Sequence, residues 1–145
     1  MKTTILIIHS DDGDRKGIHD ILSHFDFDLI YANDGLSGLQ AAKYLKPKLI
    51  ISEIDLKLLN GITMAGMIRK DEQIGNSSIL FLHHNLDVDL IKAAKKLGSK
   101  AFLVKPYVDN SLIYAVKRGL EQPNLTTCER PPVPYEQCQM TRRYA

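Results

Sequence analysis

The strongest constraint on the fold is a regular alternation of short apolar runs and longer amphipathic stretches along residues 4–120. Continuous runs rich in Ile and Leu, such as Thr4–Ile8 and Leu49–Ile51, are typical of strands buried on both faces. Between these runs, apolar residues recur every three or four positions, which indicates helices with one buried face. Five such strand–helix units in succession predict an α/β fold, with a parallel sheet covered by helices on both sides.

Polar residues at the starts of the helices predict where the chain turns. We expect an N-cap of the first helix among Asp11, Asp12 and Asp14, and an N-cap of the fourth helix at Asp87. Pro47 predicts the end of the second helix, because the residue before a proline disfavours helical backbone. Helical spacing also predicts inward-facing side chains on the third and fourth helices: Met64, Met67, Ile68, Val88, Ile91, Ala94 and Leu97.

The composition favours one soluble domain. The chain has 145 residues, of which 44% are hydrophobic and 25% are charged, as in ordinary globular proteins. We predict a domain over residues 1–121 and a proline-rich tail or linker over 122–145. No apolar run approaches the roughly 20 residues of a membrane-spanning helix, and the N-terminus lacks a signal-peptide pattern. The two cysteines, Cys128 and Cys138, are interpreted as reduced thiols of a cytoplasmic protein, and a net charge of +2 gives no indication of nucleic-acid binding.

The segment Lys48–Gly61 is predicted to form the centre of the molecule. Its apolar strand delivers the carboxylate of Glu53 to the carboxyl end of the sheet, and a loop containing Asp55 follows. Asn60 and Gly61 then turn the chain into the third helix. Ligands of open α/β sheets bind outside the carboxyl ends of the strands, so Glu53 marks the predicted functional site.

Four dipeptides at defined places add to this pattern: Asp34-Gly35, Asn60-Gly61, Leu97-Gly98 and Lys105-Pro106. With the order of elements, they make residues 4–120 resemble the receiver domain of two-component response regulators. The resemblance implies a doubly wound, five-stranded parallel sheet in the order 2-1-3-4-5, the CheY-like form of the flavodoxin-like fold. It also implies a phosphorelay function, in which a partner histidine kinase transfers a phosphoryl group to an aspartate and an acidic pair holds Mg²⁺.

The resemblance assigns a role to each position of the site, and most of these positions carry another residue type here. The phosphoacceptor position holds Glu53, and the acidic-pair positions hold His9 and Ser10. The remaining assignments are the hydroxyl position at the end of the fourth strand, the small residue after it, the aromatic switch and the lysine–proline pair, which fall on His83, His84, Phe102, Lys105 and Pro106. Only the lysine and the proline match the family pattern. The family uses the backbone carbonyl at Asp55, so we expect that side chain to face solvent.

These exchanges predict a receiver that has lost its usual chemistry. Mg²⁺ prefers oxygen ligands, and imidazole and hydroxyl groups at His9 and Ser10 remove two negative charges, so we expect no cofactor. Asp11 and Asp12 lie one or two residues too late for the acidic pair, although a bent loop could bring Asp11 near. We interpret Glu53 and Lys105 as an ion pair, since a partly buried ammonium needs a partner. The predicted function is a non-enzymatic pseudo-receiver that acts by protein–protein contact.

Two alternatives stay open from the residues alone. One is a phosphorylatable receiver with unusual ligands, modified at Glu53 or at a neighbouring aspartate. The other is a metal-binding enzyme on the same fold, in which His9, Glu53 and His83 bind Zn²⁺ or Fe²⁺, with Asp11, Asp55 and His84 as further ligands. No glycine-rich nucleotide motif follows the first strand.

Basic residues predict a surface for a protein partner. They lie on the fourth helix and its exit and on the fifth helix: Lys92, Lys95, Lys96, Lys100, Lys117 and Arg118. In the receiver family, helix 4, strand 5 and helix 5 form the face that contacts partners or a second copy. We therefore expect a histidine kinase or a downstream effector to bind this face through an acidic surface, or a second copy of the chain to bind through complementary charges. We expect neither nucleic acid nor membrane as a partner.

Overall fold

The computed structural model describes residues 3–120, in which five strands alternate with five helices. The predicted tail, residues 122–145, lies outside the described residues. The elements, in chain order, are β1 Thr3–Ile8, α1 Asp12–Leu22, β2 Phe27–Ala32, α2 Gly35–Leu45, β3 Leu49–Glu53, α3 Gly61–Lys70, β4 Ser78–His83, α4 Val88–Lys96, β5 Ala101–Val104 and α5 Asp109–Leu120.

The five strands form one parallel sheet in the order β2-β1-β3-β4-β5. This confirms the predicted α/β class and the strand order implied by the resemblance. β3 lies in the middle, where Ile7 pairs with Ile51 and Ile51 with Leu80. The chain therefore places the carboxyl end of β3 between those of β1 and β4.

Alternating side chains of the central strands divide the core into two layers. Ile5 and Ile7 of β1 pack on one side with residues of α1 and α5, whereas Leu6 and Ile8 pack on the other with residues of α2, α3 and α4. These four side chains are fully buried. Uninterrupted apolar runs were the correct signal, because both faces of a parallel sheet are covered by helices.

Side-chain caps fix the starts of the helices next to the carboxyl edge of the sheet. Asp11, one of the three predicted options, caps α1 and accepts a hydrogen bond from the N–H of Asp14 at 2.8 Å. Asp87 caps α4, as predicted. Asp34 and Asn60 cap α2 and α3 in the same way. Each cap satisfies a backbone N–H that has no partner within its helix.

Two predicted core residues are exposed. Met64 is fully buried as expected, but Met67 is 47% exposed and Val88 is 60% exposed, so their predicted inward orientation is wrong. Helical spacing predicts a broad stripe, and Met67 lies at the solvent side of that stripe. Val88 is the first residue of α4 and lies next to the carboxyl edge of the sheet. Ala94 is the buried residue of that helix.

Prediction for the packing of α2: replacing Gly35 by alanine lowers the free energy of unfolding by about 1–3 kcal/mol. The N–H of Gly35 donates to the carbonyl of Lys57 at 3.1 Å, and an added Cβ would lie 1.8 Å from the carbonyl oxygen of Leu59. Urea denaturation measures the change. Gly17→Ala in α1 is the control, because nothing lies within 4 Å of its added Cβ; it should raise stability by roughly 0.5–1 kcal/mol. Equal effects of the two exchanges would contradict the packing argument.

Candidate functional site

The carboxyl edge of the sheet collects polar side chains from four neighbouring strands. Glu53 is the last residue of β3, His83 is the last residue of β4, and His9 directly follows β1. Lys105 directly follows β5 and is joined to Pro106 by a cis peptide bond. Parallel strands end at the same edge, which is why residues so distant in sequence lie together here.

The carboxylate of Glu53 is bound on both of its oxygens. Oε1 accepts hydrogen bonds from the backbone N–H of Ser10 at 3.3 Å and from its Oγ at 3.1 Å. Oε2 lies 3.4 Å from Nζ of Lys105. The side chain of Glu53 is only 14% exposed and that of Lys105 only 20%. The structure thus contains the ion pair between Glu53 and Lys105 that the sequence predicted.

The ammonium group of Lys105 has two further neighbours. It lies 3.3 Å from Oδ2 of Asp14 and 3.1 Å from Nε2 of His9. Glu53, Ser10, His9, Asp14 and Lys105 together form what we call the Glu53 network. One cation in this network is shared by two carboxylates, so Lys105 neutralises charge from both β3 and α1.

His9 is the buried member of the network. Its side chain is fully enclosed, and Nδ1 accepts a hydrogen bond from the N–H of Asp11 at 3.2 Å and lies 3.3 Å from Oε1 of Glu53. Burial lowers the pKa of His9 below its ordinary 6.5; the charge of Glu53 opposes this shift and that of Lys105 adds to it. The imidazole is therefore neutral at neutral pH, and it fills space where the family has an acidic group.

These residues do not fit the Mg²⁺ ion that the receiver family implies. The predicted positions of the acidic pair offer an imidazole nitrogen and a hydroxyl group, and the hydroxyl of Ser10 already donates to Glu53. An ammonium group lies within 3.4 Å of the oxygens of both Glu53 and Asp14. Mg²⁺ requires near-octahedral oxygen ligands, and the imidazole of His9 and the hydroxyl of Ser10 do not replace a pair of carboxylates.

The two histidines at the end of β4, His83 and His84, lie beside Asp55 instead of in the Glu53 network. Nδ1 of His83 is 3.9 Å and Nδ1 of His84 is 3.6 Å from Oδ2 of Asp55. The buried ring of His83 also meets the ring of Phe102 edge-on, with centroids 6.2 Å apart. The two positions assigned to the family switch, His83 and Phe102, are therefore in contact, and the side chain of Asp55 is 58% exposed as expected.

The structure groups the predicted metal ligands differently from the sequence. The alternative set was His9, Glu53 and His83, but His9 and Glu53 belong to the network around Lys105. Within residues 3–120, the only group of three metal-type side chains with ligand atoms within 4.8 Å of one another is Asp55, His83 and His84. This grouping depends on the directions of the side chains, which cannot be read from the spacing of the residues in the sequence.

Two residues of the site were missed by the sequence analysis. Asp14 was considered only as a helix cap, and Arg15 was not considered. Nη1 of Arg15 donates to the carbonyl of His9 at 2.7 Å and to Oδ1 of Asn33 at 3.0 Å, which holds the loop after β1. The sequence signal that could have identified Asp14 is the capping role of Asp11, because a cap at residue 11 places Asp14 in the first turn of α1, beside that loop.

Prediction for His9: stability falls as pH is lowered from about 7.5 to about 5.5, because the unfolded chain binds a proton at His9 more readily than the folded chain does. The folded-state pKa of His9 lies below 6.5, so this contribution is complete above 6.5 and decreases below it. His9→Gln should show a shallower loss in denaturation experiments across this range. Asp11, Asp14, Glu53 and Lys105 face His9, and a slope unchanged in His9→Gln would contradict the prediction.

Comparison with known proteins identifies similar sequences among response regulators and histidine kinases. The sequence model described as the response regulator receiver domain matches residues 5–117. Hybrid signal transduction histidine kinase D of Dictyostelium discoideum is 26% identical over 115 residues, covering 79% of this chain and 7% of that protein. The DNA-binding response regulator MtrA of Mycobacterium tuberculosis is 24% identical over 122 residues, covering 84% and 52%. The chain thus spans only part of the length of these relatives.

Solved structures show the same fold. A putative response regulator from Chloroflexus aurantiacus superposes with a TM-score of 0.79 at 24% identity, covering 84% of this chain and all of that one. Chemotaxis response regulator CheY4 of Vibrio cholerae gives a TM-score of 0.76 at 22% identity, covering 83% and 100%. Within residues 3–120 no helix has the length and apolar character needed to cross a membrane. The chain belongs to the response regulator receiver domain family and is a receiver of two-component signal transduction.

Proposed function

We propose that this receiver works as a protein–protein contact module in one fixed signalling state, without phosphoryl transfer to residue 53. The observation that carries the proposal is the bonding of Glu53. Its carboxylate is bound by Ser10 on one oxygen and by Lys105 on the other. Glu53 thus stands in for a phosphorylated aspartate, supplying a permanent negative charge one methylene further from the backbone.

Three features of the site oppose phosphorylation. Phosphoryl transfer to a carboxylate depends on positioning and on neutralisation of charge, and the residues do not fit Mg²⁺. The added methylene of Glu53 displaces the nucleophile by roughly 1 Å, an error that can reduce the rate about a hundredfold. His83, at the position of the family hydroxyl, offers a ring whose buried Nδ1 has no hydrogen-bond partner within residues 3–120.

The Glu53 network is connected to the expected partner face through Lys105. The side chain of Lys105 is held by Glu53, while its backbone N–H donates to the carbonyl of His83 at 2.8 Å. Lys105 also begins the connection from β5 to α5. The ion pair therefore supports a single position of this connection, and the contact between His83 and Phe102 supports a single arrangement of β4 and β5.

The face formed by α4, β5 and α5 combines exposed apolar and basic groups. Its apolar members are Val88 at 60% exposure, Val108 at 61% and Tyr114 at 47%. Its exposed lysines are Lys92, Lys95 and Lys96 on α4. Lys117 of α5, predicted for this face, instead lies over the ring of Phe25 after α1, 5.6 Å from its centroid. Apolar anchors surrounded by charge suit a protein surface of opposite sign. We propose that a histidine kinase or a downstream effector with an acidic surface binds here.

Prediction for phosphorylation: wild-type protein incubated with acetyl phosphate and Mg²⁺ gains no phosphoryl group, because the metal site and the aspartate are missing. Intact mass spectrometry measures the outcome. A variant that combines His9→Asp, Ser10→Asp, Glu53→Asp and His83→Thr restores the family's acidic pair, aspartate and hydroxyl, and it should gain one phosphoryl group.

The same incubation needs a receiver domain with an intact acidic pair as a positive control, so that a negative result is attributable to the site. Circular dichroism of the restored variant verifies that it folds. A phosphoryl group on the wild-type chain would overturn the proposal and favour the phosphorylatable alternative, and peptide mapping would then locate the modified residue.

Prediction for the fixed state: Glu53→Gln leaves the charge of Lys105 without its main partner and shifts backbone amide resonances in β5 and at the start of α5. The loss of a charge-assisted bond also lowers the free energy of unfolding by about 1–3 kcal/mol. Two-dimensional ¹H–¹⁵N spectra and urea denaturation are the measurements. Asp28→Asn removes the same charge from an exposed position on β2 and serves as the control. Amide shifts confined to residues adjacent to Glu53 would show that the ion pair does not fix the partner face.

A further inference from the structure

A second group of polar side chains lies beside the Glu53 network and is separate from the bonds to the Glu53 carboxylate. It consists of Asp55 in the loop after β3 and of His83 and His84 at the end of β4, and we call it the His83 cluster. One ligand atom from each residue lies within 4.8 Å of the other two. The rings of His83 and His84 are 4.5 Å apart between centroids, and Nδ1 of each lies within 4 Å of Oδ2 of Asp55.

His83 provides the observation that points to a ligand. Its side chain is only 6% exposed, and its buried Nδ1 has no hydrogen-bond partner within residues 3–120. Oδ2 of Asp55 is 3.9 Å away, too far for a hydrogen bond. A buried polar atom without a partner costs roughly 1–3 kcal/mol. A ligand that binds this nitrogen would recover that cost.

The three donors have the chemistry of a transition-metal site. Two imidazole nitrogens and one carboxylate oxygen are the ligands of many zinc sites, which add water in the fourth position. Zinc–ligand bonds of about 2.0–2.1 Å place neighbouring ligands of a tetrahedron about 3.3 Å apart. The observed separations from Oδ2 of Asp55, 3.6 Å to His84 and 3.9 Å to His83, exceed this by a few tenths of an ångström.

The small closure that a metal requires is possible because two of the three ligands are exposed. The side chains of Asp55 and His84 are 58% and 57% exposed, so both can rotate towards an ion. His83 stays in place because its ring packs against Phe102 and its carbonyl accepts from the N–H of Lys105. One fixed buried ligand and two mobile surface ligands make a site that is open to solvent on one side.

We propose that Asp55, His83 and His84 bind one Zn²⁺ ion at the carboxyl edge of β4. The ion would join the β3–α3 loop to the segment that leads into α4, whose N-cap is Asp87. The site is distinct from the acidic magnesium site of the receiver family and uses neither Glu53 nor Lys105. The proposal therefore stands or falls independently of phosphorylation at residue 53.

The test is zinc binding by the full chain carrying Cys128→Ser and Cys138→Ser, because thiolates are zinc ligands in their own right. After removal of metal with a chelator, ZnCl₂ is titrated and followed by isothermal calorimetry and native mass spectrometry. We expect one ion per chain and a rise of about 10 °C in Tm at a hundredfold excess over Kd. Co²⁺ in place of Zn²⁺ should give the visible absorption of a four-coordinate ion with nitrogen and oxygen ligands.

Two ligand variants and one matched control assign the site. His84→Ala and Asp55→Asn change exposed side chains, so they should fold, and each should weaken binding by at least about tenfold, the scale on which even supporting residues act. His24→Ala removes an exposed histidine outside the cluster, whose Nδ1 lies 3.0 Å from the carbonyl of Asp20, and should leave affinity unchanged. Absence of bound zinc, equal binding by the ligand variants, or loss of binding in His24→Ala would each overturn the proposal.

Discussion

The ion pair between Glu53 and Lys105 is the interaction on which the organisation of the site depends. A carboxylate that ends the central strand of a parallel sheet is largely withdrawn from water, and at 14% exposure Glu53 requires a neutralising partner. Lys105 supplies it from the end of β5 and also approaches Asp14 of α1. Three elements that are far apart in sequence are thereby held together by one ammonium group.

Most of the fold was predictable because its signals are local. Continuous apolar runs identify strands covered on both faces, and capping residues such as Asp87 set helix starts within a residue or two. The strand order did not follow from these patterns; it came from the resemblance carried by dipeptides such as Lys105-Pro106. Helix faces were less predictable. Met67 and Val88 satisfy the helical spacing, yet they are exposed, because burial depends on what lies opposite each turn.

The sequence predicted which residues line the site better than it predicted which of them contact one another. Strand ends identified His9, Glu53 and His83, and the ion pair followed from the need of Lys105 for a partner. The contacts between these side chains depend on the direction in which each one leaves the end of its strand. These directions separate the Glu53 network from the His83 cluster. Asp14 was missed because its contribution requires the path of the first loop, and that path depends on a contact between Arg15 and the backbone of His9.

The strands are parallel and the helices run antiparallel to them, so both ends of the described domain lie at the amino end of the sheet. β1 begins at Thr3, and α5 returns from the carboxyl edge so that Gly119 packs against Leu49, the first residue of β3. Glu53 lies at the other end of that strand, on the order of 15 Å away for a five-residue strand. Polypeptide joined to Thr3 or to Leu120 therefore starts at the end of the sheet remote from the polar network. Both connections of the described domain thus leave from one end of the sheet, and the Glu53 network lies at the other end.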